Sequence, residues 1–331
     1  MDGARAFDYT CLSAKRMLNL DSEELGVVTA GCAGGFRSDL TLPYTAKPLT
    51  GTAIECRLTG LAGGHSGECI NRGRANANKL MGRLLSALLA KQPEMRLIAL
   101  NGGSKDNAIP REAVARLSVP EATAACALLK AEAERIAAEL SQEDAGFALS
   151  VAPCTATEAL SGAVTRAAVT ILSCAANGVL EMSRRVPGLV EFSRNLGVIR
   201  QESGKLVFVF STRSAIEGQL DASARELDLL AAATGAEVRH HSRYPGWDYA
   251  KTSAIRDTYL DAYRRVTGKE ARVNVIHAGL ECGIIHAHLP EMDMISIGPD
   301  MQNIHSPDEA LDLDSVEQFW KILACVITEM R

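Results

Sequence analysis

Four histidine- or aspartate-bearing segments could do chemistry, and three of them follow short apolar runs. Asp21 comes directly after Met17-Leu18-Asn19-Leu20, which reads as a strand. A carboxylate at the C-terminal end of a sheet strand is where α/β proteins gather ligands and catalytic groups. Asp-Ser-Glu-Glu at 21–24 is equally a good helix N-cap, and position alone favours capping. His305, in His-Ser-Pro-Asp-Glu, follows the apolar run ending at Ile297 and the turn Gly298-Pro299. His277, in His-Ala-Gly-Leu-Glu-Cys-Gly, marks a third strand end, with glycines that permit close backbone approach. His65 lies in Gly-Gly-His-Ser-Gly at 63–67, whose small neighbours suggest an exposed, deliberately placed imidazole. Asn107 reads as a turn residue and Arg213, at the end of an apolar strand, as a surface salt-bridge partner. His240, His241, His286 and His288 read as edge, surface or core residues. Cys282 with His277 could be a nucleophile and its base, but nothing nearby supplies a third, orienting group. These features by themselves describe a hydrolase-like α/β protein with candidate metal ligands.

The elements that must carry these groups follow from hydrophobic period. Thr52 to Thr59 alternates as a strand, Asn76 to Leu89 has helical spacing, and Arg96 to Leu100 and Ala113 to Val119 are strands. Glu121 to Leu140 is an alanine-rich helix and Phe147 to Val151 a strand, completing a β-α-β-β-α-β order. The order recurs more loosely from Leu160 to His241, without an obvious first strand or sharing one with the first unit. Gly31, Gly34 and Gly35 read as turn signals. After Tyr244-Pro245-Gly246-Trp247 the tail reads as α/β, with helices at Thr252 to Val266 and Ser315 to Met330. Two buried strands of parallel type, Val273 to His277 and Met294 to Ile297, lie between them. The expected division is an α/β domain made of 1–48 and 246–331, interrupted by an α+β module at 49–245.

Composition narrows the partners. The 331 residues are 47% hydrophobic and 23% charged with net charge −5, and no basic tract is present. Nucleic acid and an anionic membrane are therefore not expected. The start of the chain does not read as a signal peptide, and no stretch reads as a membrane span. Nine cysteines without a C-x-x-C pair read as small buried hydrophobes of a reducing cytoplasm rather than a disulfide or zinc framework.

Asn-Leu-Asp-Ser-Glu-Glu at 19–24, Gly-Cys-Ala-Gly-Gly at 31–35, Gly-Leu-Ala-Gly-Gly-His-Ser-Gly at 60–67 and Asn-Arg-Gly-Arg-Ala-Asn-Ala at 71–77 occur in that order. With the His277 and His305 motifs, they resemble the aminoacyl-histidine (Xaa-His, carnosine-type) dipeptidases of the dinuclear-zinc peptidase family that includes peptidase T. The resemblance implies a catalytic α/β domain interrupted by an α+β lid of two βαββαβ-like units. It implies hydrolysis of dipeptides with a free N-terminus, often with C-terminal histidine, by zinc-activated water. By motif, Asp21 would be the carboxylate ligand of one zinc and His305 the imidazole ligand of the other. His65, from the lid, would stabilise the tetrahedral oxyanion. Asn107 and Arg213 would bind the substrate's carboxylate end, and Glu281 its free amino group. A cytoplasmic enzyme, with a homodimer as the assembly to consider, is the accompanying expectation.

The resemblance departs at the start. The family pattern has a His-x-Asp motif, a bridging aspartate and a Glu-Glu pair upstream of the Asp21 position, and none of these is matched before Asp21 here. The expectation is an N-terminally truncated chain, lacking the general-base glutamate and several zinc ligands, that binds zinc weakly and is inactive alone. The alternative is a non-catalytic, lid-bearing binding or dimerisation relative.

Overall fold

The computed structural model describes residues 2–304 and 308–330, organised around two main sheets. The first two strands, β1 (Arg16–Asn19) and β2 (Val27–Cys32), belong to a four-stranded sheet. The chain then builds a nine-stranded sheet. Its strands are β3 (Gly34–Pro43), β4 (Thr52–Thr59), β5 (Arg96–Gly102), β6 (Ala113–Val119), β7 (Ala148–Pro153), β8 (Gly178–Met182), β9 (Val190–Glu202), β10 (Lys205–Ser214) and β11 (Glu237–Tyr244). Helices α1 (Ala77–Lys91), α2 (Ala122–Glu139), α3 (Gly162–Cys174) and α4 (Glu217–Thr234) pack on it through one continuous core. The chain returns to the small sheet with α5 (Ala254–Thr267), β12 (Arg272–Ile276), α6 (Glu281–His288), β13 (Asp293–Ser296) and α7 (Leu313–Glu329). This is an α/β unit interrupted by an α+β lid.

The lid is two copies of one topology, nested. The sheet order β7-β4-β6-β5 belongs to the unit β4-α1-β5-β6-α2-β7, and β11-β3-β10-β9 to the unit β3-α3-β9-β10-α4-β11. The two join where Gly102 of β5 meets Ile199 of β9. The first strand that the sequence does not reveal in the second unit is β3, paired with β10 and β11. It lies within the stretch 1–48 expected above to belong to the α/β domain, and the change of sheet falls at Ala33. Gly34 and Gly35 are strand residues, not turns. They are glycines because other backbone comes close: a Cβ on Gly34 would collide with the Gly246 amide, and one on Gly35 would sit 2.6 Å from the Thr212 carbonyl oxygen.

Local chemistry explains the elements. Asn76 caps α1, its Oδ1 accepting from the amides of Asn78 at 3.0 Å and Lys79 at 3.2 Å. Met81, Leu84, Leu85 and Leu88 form the fully buried face of that helix, each stabilising the lid by roughly 1.5–3 kcal/mol. Gly235 ends α4 in the left-handed conformation, at φ 70°, where other residues are strained.

In the small sheet, β1 pairs in parallel with β13 and β2 in parallel with β12. The two pairs run in opposite directions where Thr29 meets Ser296. The link 20–26 is too short for the crossover that parallel β1 and β2 would need. Helices α5 and α7 cover one face around Val28, Tyr259, Ile295, Ile297 and Ile322. On the other, Cys282 of α6 packs with Cys32, Trp247 and Met294. Among the described residues no helix is long and apolar enough to cross a membrane. Exit and re-entry lie side by side: Cys32 and Trp247 exchange backbone hydrogen bonds of 2.9 and 2.8 Å. A Cβ on Gly246 would sit 2.7 Å from the Gly34 nitrogen.

Candidate functional site

The lid contributes a converging set of groups. Residues Gly64–His65 pair antiparallel with Ala108–Ile109, and the Ser66 amide donates to the Asn107 carbonyl at 2.8 Å. His65 and Asn107 thereby line one cleft of about 410 Å³. His65 is half-buried rather than exposed. Its Nδ1 accepts from the Glu68 amide at 3.4 Å, which leaves the ring proton on Nε2. Burial, and secondly the Arg213 guanidinium, lower its pKa against the opposing pull of Glu68, so the imidazole is neutral at pH 7.

Arg213 is not the surface salt-bridge residue that its sequence position suggests. It is 8% exposed on β10, and its Nη1 donates to the Tyr244 hydroxyl at 3.1 Å. Its Nε is buried with no partner, and no carboxylate pairs with the guanidinium among the described residues. A buried cation without an anion is costly. The hydroxyls of Ser66 and Thr212 are also buried without a hydrogen-bond partner.

His277, just past β12, joins this set from the small sheet. Its Nε2 lies 2.6 Å from Ser193 Oγ on β9, and Ser193 is the register partner of Arg213. Burial, then the Arg213 charge, pushes the His277 pKa down to about 3. Gly67 makes the approach possible, since a Cβ there would sit 2.7 Å from the His277 carbonyl and 3.1 Å from His65 Cε1. Ser193 and Asn195 escaped the sequence reading. The available signal was polar residues placed in otherwise apolar strands, for Ser193, Arg194, Asn195, Ser211, Thr212 and Ser214 are all buried.

The small sheet contributes fewer groups. Asp21 is exposed in the loop after β1, its amide donating to Asn19 Oδ1 at 2.9 Å. It does not cap a helix, because none follows. The loop is held to the end of β13 and the turn beyond, by Ser22 N to Ile297 O at 3.3 Å and Leu25 N to Asp300 Oδ1 at 2.7 Å, and it leads into β2. Glu281 is the first residue of α6, where the helix dipole favours a carboxylate. Asp21 and Glu281 both act on the Cys282 thiol, which burial foremost pushes up to about 12. That thiol is inert, and His277 is engaged with Ser193, so the cysteine-nucleophile reading fails. Asp21, Leu280 and Ile304 line a cleft of about 270 Å³. His305, the expected imidazole ligand, lies outside the described residues.

Among the described residues no three or more His, Cys, Asp or Glu side chains converge as a metal site. The described donors therefore do not by themselves fit a divalent-metal centre, for which three protein ligands are the usual catalytic minimum. The structure brings His65, Asn107 and Arg213 to one side and Asp21 and Glu281 to another, with the His277–Leu280 segment leading from the first group to the second.

Comparison with known proteins agrees with this architecture. Residues 57–147 match the peptidase dimerisation domain. The chain is 36% identical over 335 residues to the cytosol non-specific dipeptidase of Escherichia coli (strain K12), covering 100% of this chain and 69% of that protein. It superimposes on the crystal structure of aminoacylhistidine dipeptidase from Vibrio alginolyticus with a TM-score of 0.93 at 34% identity, over 99% of this chain and 68% of that one. A match of this identity and extent, with sheet order, lid and motifs in place, shows that the chain belongs to the aminoacyl-histidine dipeptidase family of metallopeptidases.

Proposed function

We propose that these residues form the substrate-recognising part of a metal-dependent dipeptidase acting on dipeptides with a free N-terminus, of Xaa-His type. The observation that carries the reading is Arg213, a buried guanidinium with an unpartnered Nε and no carboxylate beside it among the described residues. An anion from outside the chain would complete it, and the C-terminal carboxylate of a short peptide is such an anion. Asn107 would share that carboxylate. His65, neutral with its proton on Nε2, would donate to the oxygen on which charge develops. Glu281 would face the free amino group.

Asp21 and His305 would be metal donors, zinc being the ion expected and two ions the complement of a full site. Two donors fall short of a catalytic zinc set. The 331-residue polypeptide alone would therefore bind zinc weakly and turn over dipeptides little. A non-catalytic binding or dimerisation relative is the second reading, favoured by the lack of a convergent donor group among the described residues. The small sheet would be the catalytic domain's share of this chain and the nine-stranded sheet its lid, with a homodimer formed through the lid and a cytoplasmic location.

Calorimetric titration with β-alanyl-L-histidine and with its C-terminal amide tests the reading. The free acid should bind, the amide should bind at least tenfold more weakly, and Arg213→Met should erase the difference. Equal binding of acid and amide would sink it.

A further inference from the structure

One buried carboxamide serves the candidate site without touching any group assigned to substrate. Asn195, 2% exposed on β9, uses its Nδ2 to donate to the Asp106 carbonyl at 3.1 Å and to the Ala108 carbonyl at 2.8 Å. Those carbonyls stand on either side of Asn107. The Asn107 carbonyl in turn accepts the Ser66 amide, one residue beyond His65. Asn195 is itself held, for its Oδ1 accepts from Asn76 Nδ2 at 3.1 Å, and the same Asn76 nitrogen also reaches Asn177 Oδ1 and Leu196 O. Asn76 is the N-cap of α1. A helix end thus reaches, through one carboxamide, the carbonyls of the residues before and after Asn107.

We infer that Asn195 is a positioning residue of this site, fixing the Asn107 loop and, through the Asn107–Ser66 hydrogen bond, the placement of His65. Asparagine suits the task because its NH₂ offers two donors to two carbonyls while its oxygen answers Asn76. Aspartate, the same size, would turn an acceptor toward both carbonyls. Serine has one donor. The close backbone at this point limits the alternatives further: a Cβ on Gly197 would sit 2.7 Å from Asp106 Cα. The loop is pressed on β9, and only a side chain already in the strand can bridge to it.

The inference rests on the reading of His65 and Asn107 as substrate groups only for its consequence, not for its geometry. The test is made on the full 331-residue chain by NMR, comparing wild type with Asn195→Ala and Asn195→Asp. Both variants should speed exchange of the Ser66 amide at least tenfold and shift the His65 imidazole titration. Amides of β4 and β6 should keep wild-type protection, so that global loosening is distinguished from loss of placement. Asn195→Asp covers the case in which Asn195→Ala does not fold, since it keeps the acceptor that Asn76 uses. Unchanged Ser66 exchange and an unchanged His65 titration in a folded variant would overturn the inference. Arg213→Met, run in parallel with β-alanyl-L-histidine, should lose ligand while leaving Ser66 amide exchange at the wild-type rate; its His65 titration moves upward only through the lost guanidinium charge. Retained ligand binding in that variant would count against the substrate reading alone.

Discussion

The lid and the small sheet hold their candidate groups in opposite ways. In the lid, Arg213 is buried between strands, His65 is half-buried on a two-residue ribbon, and the Asn107 loop is fastened on both sides. In the small sheet, Asp21 stands exposed in a loop and its cleft contains no convergent donor set among the described residues. Recognition of a peptide's carboxylate end requires a charge kept dry and fixed before the ligand arrives, and the lid has that. A solvent-facing carboxylate becomes a ligand only when other donors meet it, and burial does nothing for it until then. The contrast separates a site already organised by its own packing from one organised by what it binds.

The comparison can be broken, and the largest effect should come from acid. His277 has a folded pKa of about 3 against an unfolded value near 6.5, so between those values the unfolded chain binds more protons. The stabilisation from keeping it neutral is full above about pH 6.5 and lost as pH falls toward 3. Denaturant melts at pH 7 and pH 4.5 should differ by a few kcal/mol, and His277→Gln should reduce that difference. An unchanged pH dependence in the variant would show that His277 is not what joins the two regions. Next in size is Arg213→Met. Removing a buried charge that no carboxylate pairs among the described residues should raise stability by about 1 kcal/mol while abolishing carboxylate binding, a trade seen by thermal melts and calorimetry together. Ser193→Ala removes the hydrogen bond to His277 and should cost a similar amount, about 1 kcal/mol, in the opposite direction. Smallest is Asp21→Asn, expected within about 0.5 kcal/mol of wild type because the exposed carboxylate has no ion-pair partner among the described residues. A large loss there would mean that the small sheet is as pre-built as the lid.

Much of this was legible in the residues. The first lid unit was read nearly strand by strand because its elements follow one another and each has a clean period. The second was read without its first strand, since β3 lies before the whole first unit and its opening glycines imitate a turn. No local pattern reports a pairing with β10, more than 160 residues downstream by the register of Arg37 with Ser211. His65 and Arg213 were singled out in the sequence, but the surface setting that its position gave Arg213 does not hold: the sequence shows a strand end, whereas the residue is buried. Ser193, Asn195 and His277 needed three dimensions, because each acts on a backbone or side chain distant in the chain. Position alone made Asp21 a helix cap, and that local reading fails because the loop's ties to Ile297 and Asp300 are not local either.

The adjacent passage of the chain at Cys32 and Trp247 has a consequence for how such a protein acquires its structure. Asn19 and Ser296 hydrogen-bond across 277 positions of sequence, a closure that is slow and entropically expensive for an open chain. Once the inner β4–β7 unit has formed, β3 and α3 are brought near each other. Once the outer unit has closed on them, residues 33 and 246 are neighbours. The small sheet then closes a loop of about 60 residues rather than of hundreds. Nesting converts one long search into three short ones, and the glycines at 34 and 246 keep the last step free of side chains.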